Sequence, residues 1–214
     1  DVPFRALKLG YPTAVECSLR TYTGFFQEVF YNDSYPLSSK IHIQFPARGS
    51  MPPVEMVWYD GGLTPKRPEE LLPDEMLGEW DGGILFEGTK GKLMAGLFGR
   101  NPTLLPTRKM KETKLPAPKQ PLVPGGTEGH QNQWTAACKK GYGTFTSSNF
   151  DIAGPLTETV LMGNLAIRSF NFKEGENFNG RKQLLWDGPN MRITNFDAAN
   201  QFVRRTYRGN YKLI

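Results

Sequence analysis

Two cysteines, two histidines and only a slight excess of basic charge leave this chain few kinds of chemistry. Cys17, His42, His130 and Cys138 lie too far apart to write a zinc-ligand spacing or a local Cys–His nucleophile pair. The same scarcity excludes a small disulfide scaffold, although a single Cys17–Cys138 bridge stays open. Both thiols are expected to be buried and free, Cys17 in a strand and Cys138 in a helix. No apolar run approaches the roughly 18 residues of a spanning helix, so no membrane partner is expected. The balance of 26 Lys and Arg against 21 Asp and Glu gives +5, too mild for a dedicated nucleic-acid binder with a concentrated basic face. No internal repeat is present.

Glycine is plentiful but not in nucleotide-binding order. Gly88-Thr-Lys-Gly91-Lys92 lacks both the spacing and the hydroxyl residue of a phosphate loop. Gly141-Tyr-Gly143 fails Gly-x-Gly-x-x-Gly because position 146 is Thr. Without those glycines no backbone approach to a pyrophosphate is legible.

What is there reads as strands, then helices, then a returning strand. Residues 1–10 read as the end of a helix stopped by Gly10. Strands are predicted over 14–22, 39–46 and 53–60, with Ile41, Ile43 and Phe45 on one face and His42 and Gln44 on the other. The segments 83–88 and 92–98 form a hairpin across a Gly-bounded link, and 183–187 is one more strand. Residues 103–126, with Pro106, Pro116, Pro118, Pro121 and Pro124 among Arg108, Lys109, Lys111, Lys114 and Lys119, predict a Pro/Lys-rich exposed loop, the alternative being an anion-binding patch. Helices are predicted over 127–140, capped by Thr127, over 154–169, opened by Pro155, and over 197–205. The second is apolar nearly all round, which predicts burial on more than one side. The order implies an α+β fold in one domain, 1–214: a large, mostly antiparallel or mixed open β-sheet with helices packed on one face.

Several segments, in order, resemble the C-terminal domain of the glucose–fructose oxidoreductase / inositol dehydrogenase (Gfo/Idh/MocA) family, in its Bacteroidetes-type subgroup. They include Ala6-Leu-Lys-Leu-Gly-Tyr-Pro-Thr13, Phe45-Pro-Ala-Arg48, Val57-Trp-Tyr-Asp-Gly-Gly62 and Gly82-Gly-Ile-Leu-Phe-Glu-Gly-Thr-Lys-Gly-Lys-Leu-Met94. Asn101-Pro-Thr-Leu-Leu-Pro106, Ser148-Asn-Phe-Asp-Ile-Ala-Gly-Pro-Leu-Thr-Glu158 and Asn190-Met-Arg-Ile-Thr-Asn195 continue the run, so the likeness covers essentially the whole chain. It implies a dihydrodipicolinate-reductase-like C-terminal domain whose partner is an N-terminal Rossmann domain, absent here, that binds NAD or NADP. It also implies hydride transfer on a sugar, inositol or glycoside. The family's Glu-Lys-Pro and Asp-x-x-x-His motifs are missing from this sequence. The chain is therefore expected to be the half downstream of them, with no catalytic residue and no cofactor of its own, silent without the missing domain. A homodimer or homotetramer through the sheet is implied. Localisation is open, as a soluble cytoplasmic or periplasmic protein.

Within that resemblance the substrate-binding candidates are Trp58, Tyr59, Asp60, Arg100 and His130. Trp58-Tyr59-Asp60 suits a sugar, by ring stacking and hydroxyl donation to the carboxylate, or else is strand-end packing with a turn-forming Asp. Arg100 suits an anionic substituent or is a surface Arg. His130 reaches a substrate or sits on a helix surface. Trp134 is read as core, and Lys90 and Lys92 as a solvated turn. The alternative function is a stand-alone carbohydrate-binding or oligomerisation β-sheet module.

Overall fold

After helix α1 (Val2–Ala6), β1 (Ala14–Leu19) is followed by the short mutually paired strands β2 (Tyr22–Thr23) and β3 (Gln27–Glu28), then β4 (Ser39–Phe45) and β5 (Val54–Tyr59). The chain continues through β6 (Gly83–Gly88), β7 (Gly91–Gly96), β8 (Thr103–Leu105), α2 (Gly126–Lys140) and α3 (Phe150–Phe170), and returns as β9 (Leu184–Asp187) and β10 (Arg192–Ile193). This computed structural model describes residues 1–23, 25–29, 34–119, 122–209 and 211. They form two units, Pro3–Pro65 with Pro155–Ile214 and Asp1–Val2 with Lys66–Gly154.

In the first unit the sheet order is β10-β9-β1-β4-β5, each neighbour antiparallel. Alternation decides its two faces. Ser39, Ile41, Ile43 and Phe45 are buried while Lys40, His42 and Gln44 are only half so, the pattern of a sheet with one covered face. Helix α3 is the cover. A Cβ at Gly163 would stand 2.8 Å from Ile41 Cδ1, so the helix rests directly on β4 and a side chain there would force the tip of Ile41 to shift. Met162, Ala166 and Ile167 of α3 join Val15, Phe45, Leu184 and Trp186 in one core. The Trp186 indole donates to Glu158 Oε1 at 2.7 Å, tying β9 to the helix while satisfying a largely buried N–H. Arg48 donates from Nε to the Leu7 carbonyl at 3.0 Å and from Nη1 to those of Pro46 and Pro52, holding the β4–β5 connection against the end of α1.

Helix α3 differs from expectation at both ends of the argument. It begins at Phe150, because the Asn149 carbonyl already accepts the amides of Ile152 and Ala153. Pro155 is thus interior to the helix, where its missing N–H removes one ladder bond. The helix is also buried on one side rather than several: Val160 and Leu161 are exposed.

The second unit holds the three-stranded antiparallel sheet β6-β7-β8. The predicted hairpin is present, but it pairs with β8 in a sheet of its own. Its fully buried apolar side chains among the described residues are Leu71, Ala95 and Leu105. The segment 103–126 opens with β8 and a 3-10 turn over Thr107–Lys111. Helix α2 is capped at Gly125, whose φ is 85°, rather than at Thr127, and buries only Gly129. At the far end of the chain, Asp197–Phe202 is a 3-10 helix, shorter and tighter than the helix expected there.

Both cysteines are free. Burial pushes the Cys17 thiol up to about 12, with Glu16 adding to the effect, whereas Cys138 is exposed on α2, contrary to expectation. Two outcomes are expected. At about pH 8 a thiol reagent modifies exposed Cys138 much faster than half-buried Cys17, whose thiolate burial disfavours; equal rapid labelling would contradict that difference. Phe45, 1% exposed, should cost about 3–5 kcal/mol when cut to Ala, read by urea denaturation, and a loss below about 1 kcal/mol would contradict the packing described.

Candidate functional site

Trp58, Tyr59 and Asp60 end β5 but do not make one platform. Neighbouring residues on a strand point to opposite faces. Trp58 pairs across from Ile41 and shares its face, while Tyr59 pairs across from Lys40 on the other. Trp58 is 58% exposed. The Lys40 ammonium lies 5.4 Å from the Tyr59 ring centre, within cation–π range. Asp60 is engaged within the protein. Its Oδ1 accepts the Ser39 amide at 2.6 Å, and its Oδ2 accepts the Ser39 hydroxyl at 2.8 Å and the Trp58 indole N–H at 3.3 Å. Ser39 is buried, so this carboxylate closes the β4–β5 pair by satisfying two otherwise orphaned donors.

On the open face of the same sheet, His42 Nδ1 lies 2.7 Å from Glu55 Oε1, which also accepts Gln44 Nε2 at 3.1 Å. With Lys40 and Tyr59 they make a polar, half-buried surface.

In the other unit Arg100 lies between two carboxylates. Its Nη2 stands 2.7 Å from Glu79 Oε2 and 2.6 Å from Asp81 Oδ2. The Asp81 hydrogen bond foremost, with Glu79 adding charge, holds the guanidinium above its usual value. Asn101 Nδ2 donates to the remaining Glu79 oxygen at 2.7 Å. That carboxylate lies over Gly96, where a Cβ would come within 2.2 Å of its carbon, so only glycine admits the contact. Met76, Gly78, Glu79, Trp80, Arg100 and Asn101 line an open cleft of about 490 Å³. Trp80, 88% exposed, is its aromatic wall. It was not among the sequence candidates, although a Trp between two acids and ahead of Gly82-Gly83 marks a turn tip.

His130 is exposed on α2, its Nδ1 3.4 Å from the Ser147 hydroxyl. Ser147 also donates from its amide and hydroxyl to Gln133 Oε1 at 2.8 Å. One turn on, Trp134 is 68% exposed rather than core. Spaced i, i+4, it shares a helix face with His130. No hydrogen bond joins Arg100 to His130. Lys92 is not a solvated turn residue either. It is half-buried, 2.9 Å from Glu70 and 3.6 Å from Glu87, and the Glu70 hydrogen bond raises its pKa while lowering that of Glu70.

The glycine pairs do not make a dinucleotide cradle. Gly88 and Gly91 pair across a hairpin turn, and Gly141 and Gly143 follow the C-terminus of α2, the end of a helix that repels phosphate. Among the described residues no group of three His, Cys, Asp or Glu side chains could hold a metal ion, and no helix is long and apolar enough to cross a membrane.

Asp60→Ala should destabilise the protein by about 1–3 kcal/mol in chemical denaturation, since Ser39 loses its acceptors; an unchanged midpoint would leave the carboxylate free for another role. No family model and no curated protein sequence matches the chain.

Proposed function

We propose that this chain is the substrate-side and assembly region of a two-domain NAD- or NADP-dependent oxidoreductase acting on a sugar, inositol or glycoside, with the dihydrodipicolinate-reductase-like arrangement of that region. The observation that carries the reading is the ordered run of resembling segments from Ala6 to Asn195, spread over successive elements of an antiparallel α+β chain. The sheet supports it by keeping one face open and polar while the other is buried under α3, a geometry suited to pairing with a second copy. The exposed Trp80, which shares an open surface with Arg100 and Asn101, and the exposed Trp134, on the helix face of His130, support contact with a polyhydroxylated ligand. When bound elsewhere in the enzyme, the nicotinamide supplies the hydride chemistry. The residues of this chain bind and orient the substrate, and none of them is assigned a proton-transfer step.

The test uses the protein encoded by the complete gene beside this chain. The complete protein is expected to carry nicotinamide and to change absorbance in the reduced-cofactor band with one of a panel of sugars, while this chain does neither. Light scattering of either is expected to give a dimer or tetramer. A complete protein without nicotinamide, together with a chain that still retains a glycan, would instead favour the stand-alone carbohydrate-binding module.

A further inference from the structure

The sheet of the first unit has two unlike edges. At one end stands β10, two residues long and carrying Arg192, paired only with β9. A short, charged edge strand is a poor template for another chain. At the other end stands β5, which pairs with β4 along all 6 of its residues without a bulge. Its sequence, Val54-Glu-Met-Val-Trp-Tyr59, holds no Pro and no Lys, and Glu55 is its one charge. It therefore has little of what usually blunts an edge, and among the described residues no strand covers its outer side. Register decides which backbone groups that side offers. The Asp60 N–H donates to the Ser39 carbonyl at 3.1 Å, and hydrogen-bonded pairs recur at every second residue of an antiparallel ladder. Met56 and Trp58 thus turn their N–H and C=O groups to β4, while Glu55, Val57 and Tyr59 turn theirs outward. Among the described residues no other backbone takes those groups up.

We propose that β5 pairs antiparallel with β5 of a second copy, about a two-fold axis at Val57, and joins two five-stranded sheets into one. The strand is complementary to itself in that register. Val57 faces Val57, and Glu55 faces Tyr59 in both directions, so all three outward residues meet outward partners. On the side of the sheet that Trp58 shares with Ile41, Met56 comes opposite Trp58 of the second copy. That pair covers an indole now 58% exposed, with a thioether against its ring. On the other side Glu55 comes opposite Tyr59 and the Lys40 ammonium that lies 5.4 Å from the Tyr59 ring centre. Glu55 Oε1 accepts from His42 and Gln44, which leaves Oε2 for the Tyr59 hydroxyl of the second copy. Centring the axis on Glu55 would instead set two carboxylates face to face, which disfavours that register. The blunt β10 edge cannot repeat the contact, so the pairing closes at two copies. The inference deepens the assembly role in the proposed function, and rests on that reading only in taking the chain to pair with itself.

The experiment uses the chain with Cys138→Ser, which removes the exposed thiol. Facing residues of a hydrogen-bonded antiparallel pair have Cα atoms about 5.5 Å apart, within reach of a disulfide. Val57→Cys is expected to give a covalent dimer on mild oxidation, seen on a non-reducing gel. Glu55→Cys alone is expected to stay uncrosslinked, because its counterpart stands more than about 13 Å along the strand. Combined with Tyr59→Cys it is expected to crosslink. Separately, Val57→Pro deletes one outward N–H in each copy and spares the ladder to β4. Its dimer dissociation constant in analytical ultracentrifugation is expected to rise about tenfold or more, with circular dichroism as the check on folding. A chain that stays monomeric, a Val57→Cys that crosslinks no better than Glu55→Cys, or a folded Val57→Pro with an unchanged dimer would each overturn the proposal. If Val57→Pro does not fold, the cysteine variants decide alone. A dimer that survives Val57→Pro and crosslinks through His42→Cys would move the contact to the open face of the sheet, overturning edge pairing while the proposed function stands. Nicotinamide content and turnover of the complete protein are untouched by either result, so the two readings fall separately.

Discussion

The close approach of α3 to β4 is the contact on which the larger unit depends. Gly163 lets the helix come down onto Ile41, and Val15, Ile41, Ile43 and Phe45 of the strands share one core with Met162, Leu165, Ala166 and Ile167 of the helix. Moving α3 outward by the size of one methyl group would open a layer of voids beneath Met162 and Ala166, each void costing packing that the sheet cannot recover elsewhere. That face is largely spent on the core, while the opposite face carries the half-buried polar group of His42, Gln44, Glu55 and Tyr59.

The second unit is held in a different way. Few of its apolar side chains are fully buried, and polar contacts recur where a core would otherwise act: Lys92 with Glu70, Thr107 with Glu75, and Arg100 with Glu79 and Asp81. Such pairs are individually weak at a surface. Shared partners change what they do, since one guanidinium fixes two carboxylates and with them the orientation of Trp80. Order in this unit is local.

The strands were the most legible part of the sequence. Ile41, Ile43 and Phe45 alternate with His42 and Gln44 so cleanly that period alone separates the two faces, and the structure keeps that separation. The helix termini were less legible because Thr127 and Pro155 are residues that favour a helix start without requiring one. Gly125, with its left-handed backbone, and the Asn149 carbonyl won those positions. Burial of single aromatics was least legible. Trp134 looked like core because tryptophan usually is, and only tertiary placement leaves it in water. Likewise the two oxygens of Asp60 accept from Ser39 and Trp58, and nothing in spacing alone indicates that residue 39 would be the donor.

A well-cored sheet-and-helix unit and a thinly cored second unit make a direct statement about local stability. Hydrogen exchange followed by mass spectrometry tests it in one measurement. The account predicts slow exchange in 39–45 and 159–167 and fast exchange in 126–140. Fast exchange in 39–45, or a helix α2 as protected as α3, would contradict it.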